Sequence, residues 1–218
     1  MSRWQYDALR AARLYGILDL GYVSSDNALA TAEKMLDGGV QLLQLRAKEK
    51  SLKEIYSLAC ELAPLCHANK VPLILNDHPE MVAQTGADGA HVGQDDASVV
   101  AARKLAGEHA IVGKSTHSLA QALAAQRESP DYIGFGPLFT TPTKPDYPPI
   151  GLDEIRQAQL LVSLPVFCIG GIKRENLSSV LAAGAQRAVI VSGILQAPNP
   201  QTYCRACREL LDASPGEP

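Results

Sequence analysis

Three groups of polar residues in this chain have the types and spacings to act on anionic ligands. The first is Gln44, Arg46 and Lys48, which alternate with Leu45 and Ala47 at the end of a short apolar run. On an extended segment, residues two apart share a face, so Arg46 and Lys48 are expected to aim two cations at one place. The second is Asn76-Asp77 and Gly93-Gln94-Asp95-Asp96, each following another apolar run. Carboxylates at Asp77 and Asp96 are hard oxygen ligands, suited to a Mg²⁺ that also takes phosphate oxygens and waters. The plainer alternative is a rim ion-pair network of Arg46 and Lys48 with Asp77, Asp95 and Asp96. The third is a pair of turns, Ile169-Gly170-Gly171-Ile172 and Val191-Ser192-Gly193-Ile194. A strand, a glycine turn and a helix start present backbone N–H groups at the positive end of a helix dipole, which suits a phosphate.

Two further stretches carry polar groups of the right kind. Ser115-Thr116-His117 supplies hydroxyls and an imidazole, and the proline-rich loop 136–149 carries Thr141, Thr143 and Lys144. A long irregular loop beside a site is expected to act as a lid. His117 has the titration range of a general base, although a histidine after a strand is more often a hydrogen-bonded structural residue. His91, inside an apolar run, reads as a satisfied interior histidine, and His67, His78 and His109 show no partner in the sequence. A nucleophile elbow, a Walker loop and a Gly-x-Gly-x-x-Gly helix start are all missing, so hydrolase, NTPase and dinucleotide readings lack support.

Positioning these groups requires a scaffold of alternating strands and helices. Eight β-branched or aliphatic runs read as strands, at 14–18, 42–45, 71–75, 89–92, 111–113, 132–135, 166–169 and 188–191. Amphipathic segments lie between them. Ser51 with Glu54 has capping-box spacing, Ser118 with Gln121 repeats it, Pro130 stops that second helix and Pro64 is expected to bend its own. A helix ending in glycine just before a strand recurs at Gly39, Gly86 and Gly184. Eight βα units make a single-domain α/β protein, a compact (β/α)₈ TIM barrel, with an open doubly wound sheet as the rival. Residues 1–13 read as an extra N-terminal helix, and 213–218 as a frayed tail. The polar groups above then fall at the C-terminal ends of strands two to eight, the catalytic face of such a barrel.

The chain has 218 residues, 46% of them hydrophobic, with 20 basic and 23 acidic side chains. That balance offers no basic stripe for nucleic acid, and no run approaches the roughly 18 apolar residues of a membrane span. A cytoplasmic protein is expected. The five cysteines fit reduced thiols; Cys204 and Cys207 form a CxxC with no second pair to complete a metal site.

Taken in order, Gln44-Leu45-Arg46-Ala47-Lys48, Asn76-Asp77, Gly93 to Asp96, Ser115 to Ser118, Gly134-Phe135-Gly136-Pro137, Thr141 to Lys144 and Ile169 to Ile172 resemble thiamine phosphate synthase from about residue 14 to 194. The resemblance implies a (β/α)₈ barrel and a C–N bond-forming transferase of thiamine biosynthesis. Such an enzyme joins two phosphorylated small molecules, hydroxymethylpyrimidine diphosphate and hydroxyethylthiazole phosphate, with Mg²⁺ and with loss of pyrophosphate. It implies Gln44 on the pyrimidine and Arg46, Lys48, Asn76, Ser115 and Lys144 around the diphosphate, with Arg46, Lys48, Ser115 and Lys144 as the catalytic set. Asp77 and Asp96 match the metal carboxylates, and Thr141, Thr143, Gly171, Val191 and Ser192 match the thiazole-phosphate site. Ala47, where an acidic residue is common, and Thr140, where proline is frequent, depart from the pattern outside the implied contacts. Rival readings are a thiazole tautomerase of the same superfamily, which would use His117, and a non-catalytic barrel that binds a phosphorylated ligand; a homo-oligomer is left open.

Overall fold

The computed structural model describes residues 2–141 and 148–214. Eight parallel strands close into a barrel in sequence order: β1 (Leu14–Asp19), β2 (Leu42–Arg46), β3 (Leu73–Asn76), β4 (Gly89–Val92), β5 (Ile111–Thr116), β6 (Tyr132–Phe135), β7 (Val166–Cys168) and β8 (Ala188–Ile190). The pairing of Leu14 with Ala188 completes the ring. Around it lie α1 (Arg3–Ala11), α2 (Ser25–Asp37), α3 (Leu52–Ala68), α4 (Val82–Thr85), α5 (Val99–Ala106), α6 (Leu119–Ala125), α7 (Ile155–Leu161), α8 (Arg174–Ala182), α9 (Ser192–Leu195) and α10 (Pro200–Ala213). The fold is a (β/α)₈ barrel, and the doubly wound alternative is excluded by its closure.

The strands read as continuous apolar runs because both of their faces are buried. Tyr15, Ile17, Leu42, Ile74, Ile111, Tyr132, Phe167 and Val189 point into the barrel and pack together. Their neighbours Leu14, Leu18, Leu43, Leu45, Leu73 and Leu75 face outward into the helix layer. The strand ends depart from the apolar runs for local reasons. β3 starts at Leu73 because Pro72 has no N–H for the ladder, and β5 extends to Thr116, carrying polar side chains in register with β6.

The capping signals are met with one variation, and α6 ends at Ala125, five residues before Pro130. Ser51 Oγ accepts from the Glu54 N–H at 3.3 Å while Glu54 accepts the Ser51 N–H at 3.1 Å. Ser118 Oγ accepts from the Gln121 N–H at 3.2 Å, but Gln121 reaches the His117 N–H rather than that of Ser118. Pro64 lies inside α3, which runs unbroken from Leu52 to Ala68. The N-terminal helix stops at Ala11, and its Leu9 and the following Ala12 enter the interior cluster, so α1 stoppers the barrel opposite the catalytic face. Gln5 Nε2 donates to Asp88 Oδ1 at 2.6 Å, and His67 Nε2 lies 3.1 Å from both oxygens of that buried carboxylate. His67 therefore has a partner, as does His78, whose Nδ1 is 3.0 Å from Glu80; neither contact was visible in the sequence because both are set by tertiary or turn geometry.

Cys204 and Cys207 are buried on α10, and burial pushes both thiols up to about 12, which leaves them unreactive. Among the described residues no helix is long and apolar enough to cross a membrane.

Candidate active site

Because strand side chains alternate, the inward positions near the strand ends converge on one cavity at the C-terminal face. Residues from all eight strands or the turns just beyond them line it. Gln44, Arg46, Asn76, Ser115, Thr141, Gly171, Val191 and Ser192, all singled out from the sequence, are among that lining, as are His91 and His117. Thr143 and Lys144 lie outside the described residues, as does the middle of the expected lid.

On the β1–β2 side, Arg46 Nη1 lies 2.6 Å from Asp19 Oδ2, with only 14% and 3% of the two side chains exposed. Asp19 Oδ1 also accepts the Gly21 N–H at 3.0 Å. Asp19, the last residue of β1, was missed by the sequence reading, although a carboxylate at a strand's C-terminal end is the signal that flagged the other strands. The alternative of a rim ion-pair network holds for Lys48, which pairs with Asp77, but not for Arg46, which turns to Asp19 of β1. The Arg46 pairing also separates the two cations. β2 ends at Arg46, Lys48 lies in the following turn, and its Nζ is 3.4 Å from Asp77 Oδ2. The extended i, i+2 geometry therefore does not reach Lys48.

The acidic group lies beside the cavity at the ends of β3 and β4. Asn76 Nδ2 donates to Asp77 Oδ2 at 2.7 Å, and Asp96 Oδ2 accepts the Gly93 N–H at 2.7 Å. The Asp77 backbone adopts φ +63, a left-handed conformation that aspartate tolerates better than most residues. Burial raises the Asp77 pKa; the neighbouring Asp96 charge raises it further, and Lys48 opposes both. Two carboxylates held together at such a cost suit a hard cation that would relieve their repulsion.

On the far side, Gly170 and Gly171 have φ of +97 and +66. A Cβ on Gly170 would lie 2.3 Å from Pro137 Cα, and one on Gly171 would lie 2.7 Å from Phe139 Cβ. These glycines do more than make a turn, since they let the segment after β6 pack directly on the end of β7. Leu138 and Phe139 donate to the carbonyls of Ile169 and Gly170 at 2.8 and 3.0 Å, which carries Thr141 to the cavity. Asn176 Nδ2 donates to the Gly171 carbonyl at 3.0 Å, a brace from α8 that the sequence did not reveal.

The cavity floor holds a hydrogen-bonded chain that was likewise missed. Gln44 Nε2 donates to the Tyr15 hydroxyl at 2.6 Å, Tyr15 and Tyr132 hydroxyls are 2.9 Å apart, and His91 lies 3.1 Å from Tyr132 and 2.9 Å from Ser115 Oγ. His91 is thus satisfied, as expected, but by the walls of the site. His117 Nδ1 faces the Gly136 carbonyl.

A closed (β/α)₈ barrel with an arginine and paired acids on one side of its catalytic face, and glycine turns after β7 and β8 on the other, has the layout of a barrel enzyme that acts on small molecules at the C-terminal ends of its strands. The family profile described as thiamine monophosphate synthase matches residues 14–194. The thiamine-phosphate synthase of Chloroflexus aurantiacus is 39% identical over 203 residues, 93% of this chain and 94% of that protein. That of Thermus thermophilus is 44% identical over 190 residues, 86% of this chain and 91% of that protein. The structure of the thiamine phosphate pyrophosphorylase from Pyrococcus furiosus superposes with a TM-score of 0.85 at 27% identity, covering 95% of this chain and 97% of that one. The chain belongs to the thiamine monophosphate synthase family.

Proposed function

We propose that this enzyme condenses 4-amino-5-hydroxymethyl-2-methylpyrimidine diphosphate with 4-methyl-5-(2-hydroxyethyl)thiazole phosphate, releasing pyrophosphate and forming thiamine phosphate. The observation that carries the reading is the two-sided cavity. Gln44 and Arg46 line it from β2, while Gly171 and Ser192 line it from beyond β7 and β8, so two phosphorylated ligands can meet over one floor.

The residues suit a displacement that needs no strong protein base. An electron-rich aminopyrimidine can expel diphosphate to leave a stabilised methylene cation, and the neutral thiazole nitrogen then attacks that carbon. The protein must stabilise charge growing on the departing oxygens and align the cation with the nitrogen. Gln44 orients the pyrimidine; Arg46, Lys48, Asn76, Ser115 and Lys144 surround the diphosphate; Thr141, Thr143, Gly171, Val191 and Ser192 hold the thiazole phosphate. Asp77 and Asp96 fit the Mg²⁺ that the family resemblance implies, with waters and diphosphate oxygens as its other ligands. When bound, that ion supplies neutralisation of the leaving group's charge.

Steady-state pyrophosphate release, measured with both organic substrates and Mg²⁺ and with each omitted in turn, tests the reading. Release that requires both organic substrates is expected. Release that is independent of the thiazole phosphate rejects it, and no release at all rejects it and leaves a tautomerase or a binding protein.

A further inference from the structure

The chain on the cavity floor has a direction that follows from counting donors and acceptors. Tyr15 is 2% exposed, and among the described residues its hydroxyl meets Gln44 Nε2, which can only donate, and the Tyr132 hydroxyl. A buried O–H needs an acceptor, so Tyr15 must donate to Tyr132. Tyr132, 0% exposed, then accepts from Tyr15 and, among the described residues, has one place left for its own proton, His91 Nδ1 at 3.1 Å. With Nδ1 accepting, the His91 proton sits on Nε2 and points at Ser115 Oγ, 2.9 Å away. A hydroxyl that already accepts this N–H directs its own hydrogen elsewhere, and Ser115 lines the cavity.

The packing is built to hold this path. Gly113 gives it room, since a Cβ there would lie 2.2 Å from Tyr132 Cζ and 2.5 Å from His91 Nδ1. Tyr15, Tyr132 and Phe167 meet edge to face with centroids 5.4 to 5.8 Å apart, which fixes both phenol rings. One end of the path spends a Gln44 N–H and leaves its carbonyl oxygen for a donor such as an aminopyrimidine. The other end commits Ser115 to donating.

We propose that Tyr15, Tyr132 and His91 are positioning residues that polarise the site, holding Gln44 as an acceptor toward the pyrimidine and Ser115 as a donor toward the departing diphosphate. The inference rests on the reading of Ser115 given above. Without the Tyr132 hydroxyl, His91 is free to take the other tautomer and to accept the Ser115 hydrogen, withdrawing it from the leaving group.

A double-mutant cycle tests this. Ser115→Ala is expected to lower kcat by about 10²-fold, and Tyr132→Phe by about tenfold with little change in KM for the thiazole phosphate. Tyr132→Phe added to Ser115→Ala should cost less than about twofold more, because Tyr132 acts through Ser115. A further tenfold loss in the double variant, or wild-type kcat in Tyr132→Phe, overturns the proposal while leaving the proposed reaction intact. An unimpaired Ser115→Ala removes the role of Ser115, and the proposal with it. Nitrogen NMR of the wild-type imidazoles, with His91 assigned by its loss in His91→Gln, does not depend on the Tyr132 variant folding. A proton on Nε2 alone is expected; a proton on Nδ1, or on both nitrogens, overturns the proposal.

Discussion

Replacing Asp19 by Asn asks what the Arg46 pair does. The two side chains are 2.6 Å apart and mostly shielded from solvent, at 3% and 14% exposure, so the roughly 0–1 kcal/mol of a surface pair does not apply. The pair is also not fully buried, so the roughly 3–5 kcal/mol lost on breaking a buried pair is an upper bound. A charge-assisted hydrogen bond at this site is worth about 2 kcal/mol. Asparagine keeps the shape and can still accept the Gly21 N–H through its amide oxygen, so the loss falls on Arg46. Two effects then compete. An unneutralised guanidinium attracts the diphosphate more strongly before reaction, whereas a guanidinium no longer anchored is misaligned as charge develops on the leaving oxygens. The first acts on KM and the second on kcat. If alignment dominates, kcat falls by about 10- to 30-fold, the rate equivalent of up to about 2 kcal/mol, while KM for the pyrimidine diphosphate stays level or drops. Steady-state pyrophosphate release, with Arg46→Ala measured alongside, reads both constants. Unchanged kcat with a raised KM would refute the reasoning, because Asp19 would then assist binding alone.

Four other substitutions have defined outcomes. Asp96→Ala and Lys144→Ala should each lower turnover by about 10²-fold, the loss typical of one group stabilising developing charge, while the melting temperature moves little; near-normal turnover of Asp96→Ala in saturating Mg²⁺ would remove the metal assignment. Asp77 has its pKa raised in the folded protein, so the metal-free fold binds that proton more tightly than the unfolded chain and gains stability as pH falls toward the carboxylate range. Calorimetry without metal, stepped from pH 7 down to the ordinary aspartate range, should show that gain, and Asp77→Asn should lack it, melting higher than wild type at pH 7 but turning over more slowly. Gly171→Ala forces a side chain onto φ +66 and against Phe139, so it should destabilise the fold by about 1–3 kcal/mol and raise KM for the thiazole phosphate more than that for the pyrimidine; equal KM values for wild type and variant would separate that turn from the phosphate.

The alternation of eight apolar runs with helical segments was legible because parallel barrel strands are buried on both faces and leave unbroken runs of large aliphatic side chains. The site was legible to the extent that its residues end strands. Gln44, Arg46, Asn76, Ser115, Val191 and Ser192 line one cavity because each occupies an inward or rim position set by its own strand or the turn after it. Asp19 obeys the same rule, ending β1 as those residues end theirs.

Which groups touch was decided by barrel closure. Asp19 faces Arg46 because β1 and β2 pair in the register that sets those two residues side by side, so the arginine never reaches the acids of β3 and β4. Tyr15 meets Tyr132 across 117 residues of chain, and the glycine at 113 leaves the gap through which Tyr132 reaches His91. Residue order specifies the strands, their polar ends and the glycine turns, since these depend on local periodicity and backbone freedom. Hydrogen-bond partners, the tautomer they impose and the cost of bringing two carboxylates together depend on distances across the ring, and those exist only once it has closed.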